Sequence, residues 1–138
     1  MKTRLIDTIF LLNRECMFER NEICEKANLT QQEFIIIDML NINETVSCST
    51  IANRILLSVS RTSRLIGSLV QKGHLIREED PDNRKYIKVY FSSKGKNTKK
   101  RIEELKDKCE KKIVSKIESK DLGIIEKSIK ILSKIIHR

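Results

Sequence analysis

A mainly α-helical chain with a small β-hairpin is the fold this sequence predicts, and three observations carry the prediction. Across most of the 138 residues, apolar side chains recur at steps of three and four, the period of a helix with one buried face. Between His74 and Gly95 the stretch "HLIREEDPDNRKYIKVYFSSKG" breaks that period: apolar and charged residues alternate on either side of an Asp-Pro-Asp-Asn turn. Thr30, Ser58 and Ser119 each stand just ahead of a helical run, where a hydroxyl can cap the free N–H groups.

In chain order, Leu5, Ile9, Leu12 and Cys16 share one face of a helix expected from about residue 3 to residue 25. A second helix begins at Thr30, with Glu33 three residues on completing a capping box, and Asn41 to Ser47 is a connection. Ser47 or Ser49 caps a short helix ending near Leu56, whose inner face is Ile51, Ala52 and Ile55. After a turn at Leu57 and Ser58, a longer helix runs to Gly73 with Val59, Thr62, Leu65, Ile66 and Leu69 toward the core. Two helices joined so tightly, with small Ala52 at their crossing, form the pattern of a helix-turn-helix. The hairpin follows at once, and two strands alone are too marginal to stand free of the preceding helices. From Ser92 or Ser93 a long helix is expected to reach Glu118. Ser119 then caps a last helix bearing Leu122, Ile125, Ile129, Leu132 and Ile136. The apolar stripes of both terminal regions find no evident partner in the middle of the chain. A second copy related by a two-fold axis would bury them, and an intramolecular bundle is the other solution.

Composition narrows the function. A chain with 39% hydrophobic and 34% charged residues is a soluble globular protein, and runs such as "FIIIDML" fall far short of the roughly 20 residues a bilayer needs. The N-terminal residues show neither the apolar core nor the cleavage site of a signal peptide, so a cytoplasmic location is expected and no membrane partner. Cys16, Cys24, Cys48 and Cys109 are widely spaced without CxxC or histidine pairing, which points to reduced thiols and no metal site. No phosphate-cradling glycine loop, G-x-S-x-G elbow or H-E-x-x-H is present, and the histidines are only His74 and His137. The sequence therefore reads as a non-enzyme with no cofactor. Charge is informative by its distribution. Residues 1–46 hold 5 basic and 8 acidic side chains, residues 47–101 hold 13 and 4, and residues 102–138 hold 10 and 7, so the middle third matches the whole net charge of +9. Such a block suits a polyanion, since each phosphate it neutralises releases counterions, although a Lys-rich solvated surface would count the same.

The segment "LSVSRTSRLIGSLVQKGHLIREEDP" is similar to the recognition helix and its L-x-x-K-G-x-I exit in the MarR (multiple antibiotic resistance regulator) family. "DPDNRKYIKVYFSSKG" resembles that family's wing signature, D-P-x-D-R-R followed by alternating apolar residues and L-T-x-x-G. The resemblance covers nearly the whole chain. It implies a winged helix-turn-helix at residues 30–92, flanked by dimerisation helices at 1–28 and 93–138, within a single domain of 1–138. The implied activity is transcription regulation by a homodimer on a pseudo-palindromic double-stranded DNA operator, most simply a repressor released by a small-molecule effector. Arg61 and Arg64 are the candidate base readers, because a guanidinium pairs with guanine at two points. Ser58, Ser60 and Ser63 are candidate contacts beside them, Arg54 on the preceding helix would reach the DNA backbone, and Arg84, Lys85 and Lys88 would bring charge on the wing to the adjacent minor groove. Two departures from the signature, Asn83 and Lys85, put the Asp–Arg pairing that braces many wings in doubt. Lys85 supplies a point charge suited to phosphate. In the peroxide-sensing branch of the family the resemblance would place a reactive cysteine near Ile6; Cys16, ten residues later, is the candidate redox residue, with a buried core thiol as its other reading. A DNA-binding or adaptor protein without sequence preference would share the basic middle but would not need Arg61 and Arg64 to read bases.

Overall fold

The structure, a computed structural model, describes residues 2–136, without the side chains of residues 15–19 and 84–86. Its contacts divide into two units, Met1–Glu103 and Glu104–Arg138, which are taken separately.

In the first unit, α1 (Leu5–Ala27) ends at Asn28, which adopts the left-handed conformation (φ 55°, ψ 48°) that asparagine tolerates better than most residues. The turn satisfies two terminal carbonyls, Leu29 N–H donating to Cys24 O (2.8 Å) and Asn28 N–H to Glu25 O (3.3 Å). Ile23 and Cys24 are buried at this end, beside α2 (Gln31–Met39), where the Arg20 guanidinium lies 5.4 Å from the centre of the Phe34 ring. Thr30 caps α2 as expected, its hydroxyl oxygen accepting from Glu33 N–H at 3.2 Å. The reciprocal half of the capping box is not made. The Glu33 carboxylate, 2% exposed as a residue, accepts from the Thr30 hydroxyl at 3.2 Å and reaches on to Lys72 Nζ, 3.0 Å from both oxygens, and to the Ser68 hydroxyl at 3.5 Å. A buried carboxylate needs a cation more than it needs one backbone N–H, and this pair ties α2 to the end of α4.

The helix-turn-helix consists of α3 (Cys48–Ile55) and α4 (Val59–Gln71). The hairpin is β2 (Leu75–Asp80) and β3 (Asn83–Phe91), joined to a third strand, β1 (Val46–Ser47), within the span expected to be a connection. The sheet order is β1-β3-β2, with Val46 opposite Val89 and Leu75 opposite Phe91. Two residues are too few to show a period, whereas the nine of β3 are not. Ile36, Ile37, Leu40, Ile51, Ile66, Leu69, Leu75, Val89 and Ile102 are inaccessible or nearly so and form one core between the helices and the inner face of the sheet.

The first turns of α5 (Ser93–Val114) are fastened to this core by polar contacts. Ser92 caps the helix, its hydroxyl accepting from Gly95 N–H at 3.0 Å and donating to His74 O at 3.1 Å. Gly95 is required there: a Cβ would lie 1.9 Å from His74 O. Lys94 donates to Lys72 O (2.8 Å), and Lys99 donates to Asp38 O while pairing with Glu103 at 2.9 Å. His74 is a core residue, its Nδ1 3.3 Å from the Thr98 hydroxyl. Burial holds its imidazole below the usual histidine range, with Lys94 and Lys72 adding to the effect and the Ala27 carbonyl and Glu33 opposing it. His137 lies outside the described residues.

In the second unit the rest of α5 stops at Val114, short of the expected Glu118. Lys116 N–H to Ile113 O (3.0 Å) and Ile117 N–H to Val114 O (3.2 Å) tighten the chain into a turn. The last helix, α6 (Ser119–Ile136), starts at Ser119, the residue expected to precede it, and the Glu118 carbonyl accepts from Asp121 N–H at 2.9 Å. None of its described residues is buried.

Candidate nucleic-acid interface

Two serine caps build the helix-turn-helix. Ser47 Oγ accepts from Thr50 N–H at 3.1 Å and starts α3; Ser58 Oγ accepts from Arg61 N–H at 3.2 Å and starts α4. Between them Leu56 takes the left-handed conformation (φ 58°), an unusual state for leucine that costs roughly 1–3 kcal/mol and is offset by what it positions. The reversal brings α3 and α4 together with Ala52 buried between them.

On α4, Thr62, Ile66 and Leu69 face inward, while Ser60, Arg61 and Arg64 are exposed. Offsets of three and four residues put Arg64 beside both Ser60 and Arg61 on one outer face. Ser58 is exposed as well, but its hydroxyl is committed to the cap. Val59, expected to anchor the helix, is 54% exposed: it lies in the first turn, ahead of the point where α4 meets the core.

Three of the predicted contacts stand elsewhere than expected. Ser63 does not face outward with its neighbours; its hydroxyl and carbonyl oxygens accept from Arg77 Nη2 of β2 at 2.9 and 3.1 Å. Arg54 is engaged by Glu44, Nη1 and Nη2 reaching the two carboxylate oxygens at 2.9 and 2.5 Å. That fork, with Asn41 N–H as a further donor, holds the Glu44 carboxyl at about 2, well below the usual carboxylate range. Lys88 is not near the tip of the wing but in the central strand, opposite Glu78 on one side and Ser47 on the other. Glu78 also receives the Tyr90 hydroxyl at 2.5 Å, a bond that pushes the phenol up from its ordinary value. Arg84 and Lys85 do follow the wing turn, in the first residues of β3; their side chains lie outside the described residues. The turn itself is pinned by Asp82 N–H donating to Asp80 Oδ1 at 3.0 Å.

Of the cysteines, Cys24 is buried and its thiol is pushed up by desolvation, and the half-buried Cys48 is pushed up for the same reason. The side chain of Cys16 lies outside the described residues. Among the described residues no helix is long and apolar enough to cross a membrane.

Arg77, not among the residues expected at this face, reaches it by way of Ser63. The signal was present, since Arg77 alternates in phase with Leu75 and so belongs to the inner face of a strand, where a charge is unusual.

The MarR family profile matches residues 27–85, from the end of α1 through the wing turn. Over those residues the chain matches the MarR family. It is 19% identical over 99 residues to the HTH-type transcriptional regulator SarZ of Staphylococcus saprophyticus, a match spanning 72% of this chain and 68% of that one. Among solved structures, the transcriptional regulator SlyA superposes with a TM-score of 0.81 at 19% identity, covering 97% of this chain and 94% of that one. FabT of Streptococcus pneumoniae, crystallised in complex with DNA, gives 0.81 at 13% identity, with 94% of each chain covered. The mainly helical fold with its small antiparallel wing is thus that of MarR-family winged helices.

Proposed function

We propose that this protein is a homodimeric, sequence-specific repressor of the MarR family that binds double-stranded DNA at a pseudo-palindromic operator and is released by a small-molecule effector. The observation that carries the reading is the outer face of α4. Its first turns expose Ser60, Arg61 and Arg64 side by side, while Thr62, Ile66 and Leu69 on the opposite side are buried in the core. A helix so divided can enter a major groove with its N-terminal half, placing two guanidinium forks at base edges and the helix N-terminus near phosphate. Arg84 and Lys85 follow the wing turn and would meet the flanking minor groove and backbone. Lys88, set between Glu78 and Ser47, and Arg54, held by Glu44, would act at most on backbone phosphates.

Dimerisation is supported by apolar side chains left in water on both terminal helices. Phe10 on α1 is 66% exposed and Ile135 on α6 is 74% exposed, with Leu5, Leu12 and Ile129 in the same state. Two such copies would present two α4 helices about one DNA turn apart, and an effector that prefers another spacing would withdraw them.

Fluorescence anisotropy on a duplex from the region upstream of the protein's own coding sequence, against a scrambled duplex over a salt series, tests the reading. A preference of about a thousandfold is expected. Arg64→Ala should cost roughly 1–3 kcal/mol on the preferred duplex and much less on the scrambled one. Equal losses on the two would remove Arg64 from base reading.

A further inference from the structure

The guanidinium of Arg77 is placed unlike those of Arg54, Arg61 and Arg64, which are exposed. It projects from the inner face of β2, opposite Val89 of the central strand, into the space between sheet and helices. Among the described residues no carboxylate lies within ion-pair distance of it. Nη2 donates to two neutral oxygens of one residue, Ser63 O at 3.1 Å and Ser63 Oγ at 2.9 Å, and Nε is buried with no acceptor. Ser63 lies in the middle of α4, between Thr62, which is in the core, and Arg64, which is exposed.

This arrangement is poor as a source of stability. A half-buried charge with no counter-charge among the described residues, and with one N–H unmet, is worth no more than an apolar side chain of the same length. As a positional device it is effective. Two hydrogen bonds from Nη2 of the planar guanidinium to one residue fix the distance between the strand that leads into the wing and the helix that carries Arg61 and Arg64. Ser63 Oγ lies one residue from Arg64, and Arg77 lies three residues before Asp80, where the wing turn begins. One side chain therefore links the two elements that would have to engage neighbouring grooves at once.

We propose that Arg77 is a positioning residue that sets the pose of the wing relative to α4 through Ser63, and thereby the protein's discrimination between DNA sequences without touching DNA. The proposal rests on α4 and the wing being the DNA-reading elements. It also accounts for Ser63: a hydroxyl turned toward β2 is the receiver of the brace and not a DNA contact.

The test uses the full-length protein with Arg77→Met, Arg77→Lys and Ser63→Ala. Amide hydrogen exchange on the free protein reads the brace without DNA. Binding is then compared on the duplex that wild-type protein recovers from a random-sequence pool and on a scrambled version of it. In Arg77→Met, faster exchange is expected in β2, β3 and the middle of α4, with the cooperative thermal transition retained. Discrimination between the duplexes should fall roughly tenfold, and the salt slope on the scrambled duplex should not change. Arg77→Lys should recover part of the discrimination, because an ammonium can reach one of the two oxygens. Ser63→Ala combined with Arg77→Met should lose no more than Arg77→Met alone. Unchanged exchange in Arg77→Met overturns the brace. A salt slope lowered by about one overturns it also, since Arg77 would then be a phosphate ligand. Should wild-type protein recover no preferred sequence, the sequence-reading function fails. The exchange data would then still decide whether Arg77 braces the wing.

Discussion

Isoleucine is used in opposite ways by the two halves of this chain. In the winged-helix part, Ile36, Ile37, Ile51, Ile66 and Ile102 are all inaccessible to water. On α6, Ile124, Ile125, Ile129, Ile131, Ile135 and Ile136 are all exposed. The first set is enclosed by elements that also satisfy one another's polar groups: Glu33 with Lys72, Lys94 with the Lys72 carbonyl, Lys99 with the Asp38 carbonyl. On α6 the hydrogen bonds are local, as in Ser128 donating to Ile124 O at 2.8 Å. One part is complete as a single chain, whereas six isoleucines left in water on one helix call for a partner surface. This contrast separates residues that fold the protein from residues that would assemble it.

A pair of substitutions can break the contrast. Ile66→Ala opens a cavity beneath α4 and is expected to destabilise the fold by roughly 2–5 kcal/mol, read from urea unfolding. Ile129→Lys removes an apolar group that is already exposed, so the unfolding free energy of the monomer should move by less than about 0.5 kcal/mol. The same change should weaken self-association by about tenfold or more, measured by sedimentation over a concentration series, because a charge would have to be buried at the contact. If Ile129→Lys left association intact and destabilised the monomer instead, α6 would belong to the fold and not to assembly.

What could be read from the amino-acid sequence follows the same division. Helices with a buried face announce themselves by period, and Thr62, Ile66 and Leu69 on α4 stand where spacing placed them. The alternation of Ile87, Val89 and Phe91 likewise marked β3, and Thr30 and Ser58 cap as expected. Long-range polar pairing left no such trace. Glu33 does meet Thr30, three residues away, but nothing in the spacing marks its ionic partner Lys72, 39 residues on. The outer side chains of α4 were identified as a group, but which of them is free depends on the neighbours folding brings up. Ser63 meets Arg77 and Arg54 meets Glu44, across separations of 14 and 10 residues that no periodicity encodes. Arg61 and Arg64 are exposed on the outer face.

Within the packed part, Gly67 is an exception that sharpens the comparison. It lies inside α4, one turn beyond Ser63, yet an added Cβ would meet nothing within 4 Å and the residue does not need a positive φ. No turn, close crossing or backbone approach explains a glycine there. Gly67→Ala should therefore stabilise the protein by roughly 0.5–1 kcal/mol through a less flexible unfolded chain and a better helix former. Thermal unfolding reads the gain. A loss would show that the space beside Gly67 is filled in solution by a neighbouring side chain or by a second copy of the chain.

The smallest expected effect lies at the rim of the winged-helix part, where Arg54 meets Glu44. The pair is partly exposed, with side-chain exposures of 36% and 17%, so its contribution is of the order of a surface ion pair, under about 1 kcal/mol. Its pH dependence still identifies it. The Glu44 carboxyl is held at about 2 in the folded protein, against an ordinary value of 4.5. A group whose folded value is depressed contributes fully above its unfolded value and loses that contribution as pH falls toward the folded one. Wild-type protein should thus exceed Glu44→Gln in stability at about pH 6, and the gap should close between about pH 5 and about pH 2. The substitution also frees the Arg54 guanidinium. If that side chain can reach the DNA backbone once released, Glu44→Gln will bind specific and scrambled duplexes more tightly by similar factors, with a salt slope steeper by about one. An unchanged slope would leave Arg54 as part of the scaffold that holds the connection before β1 against α3.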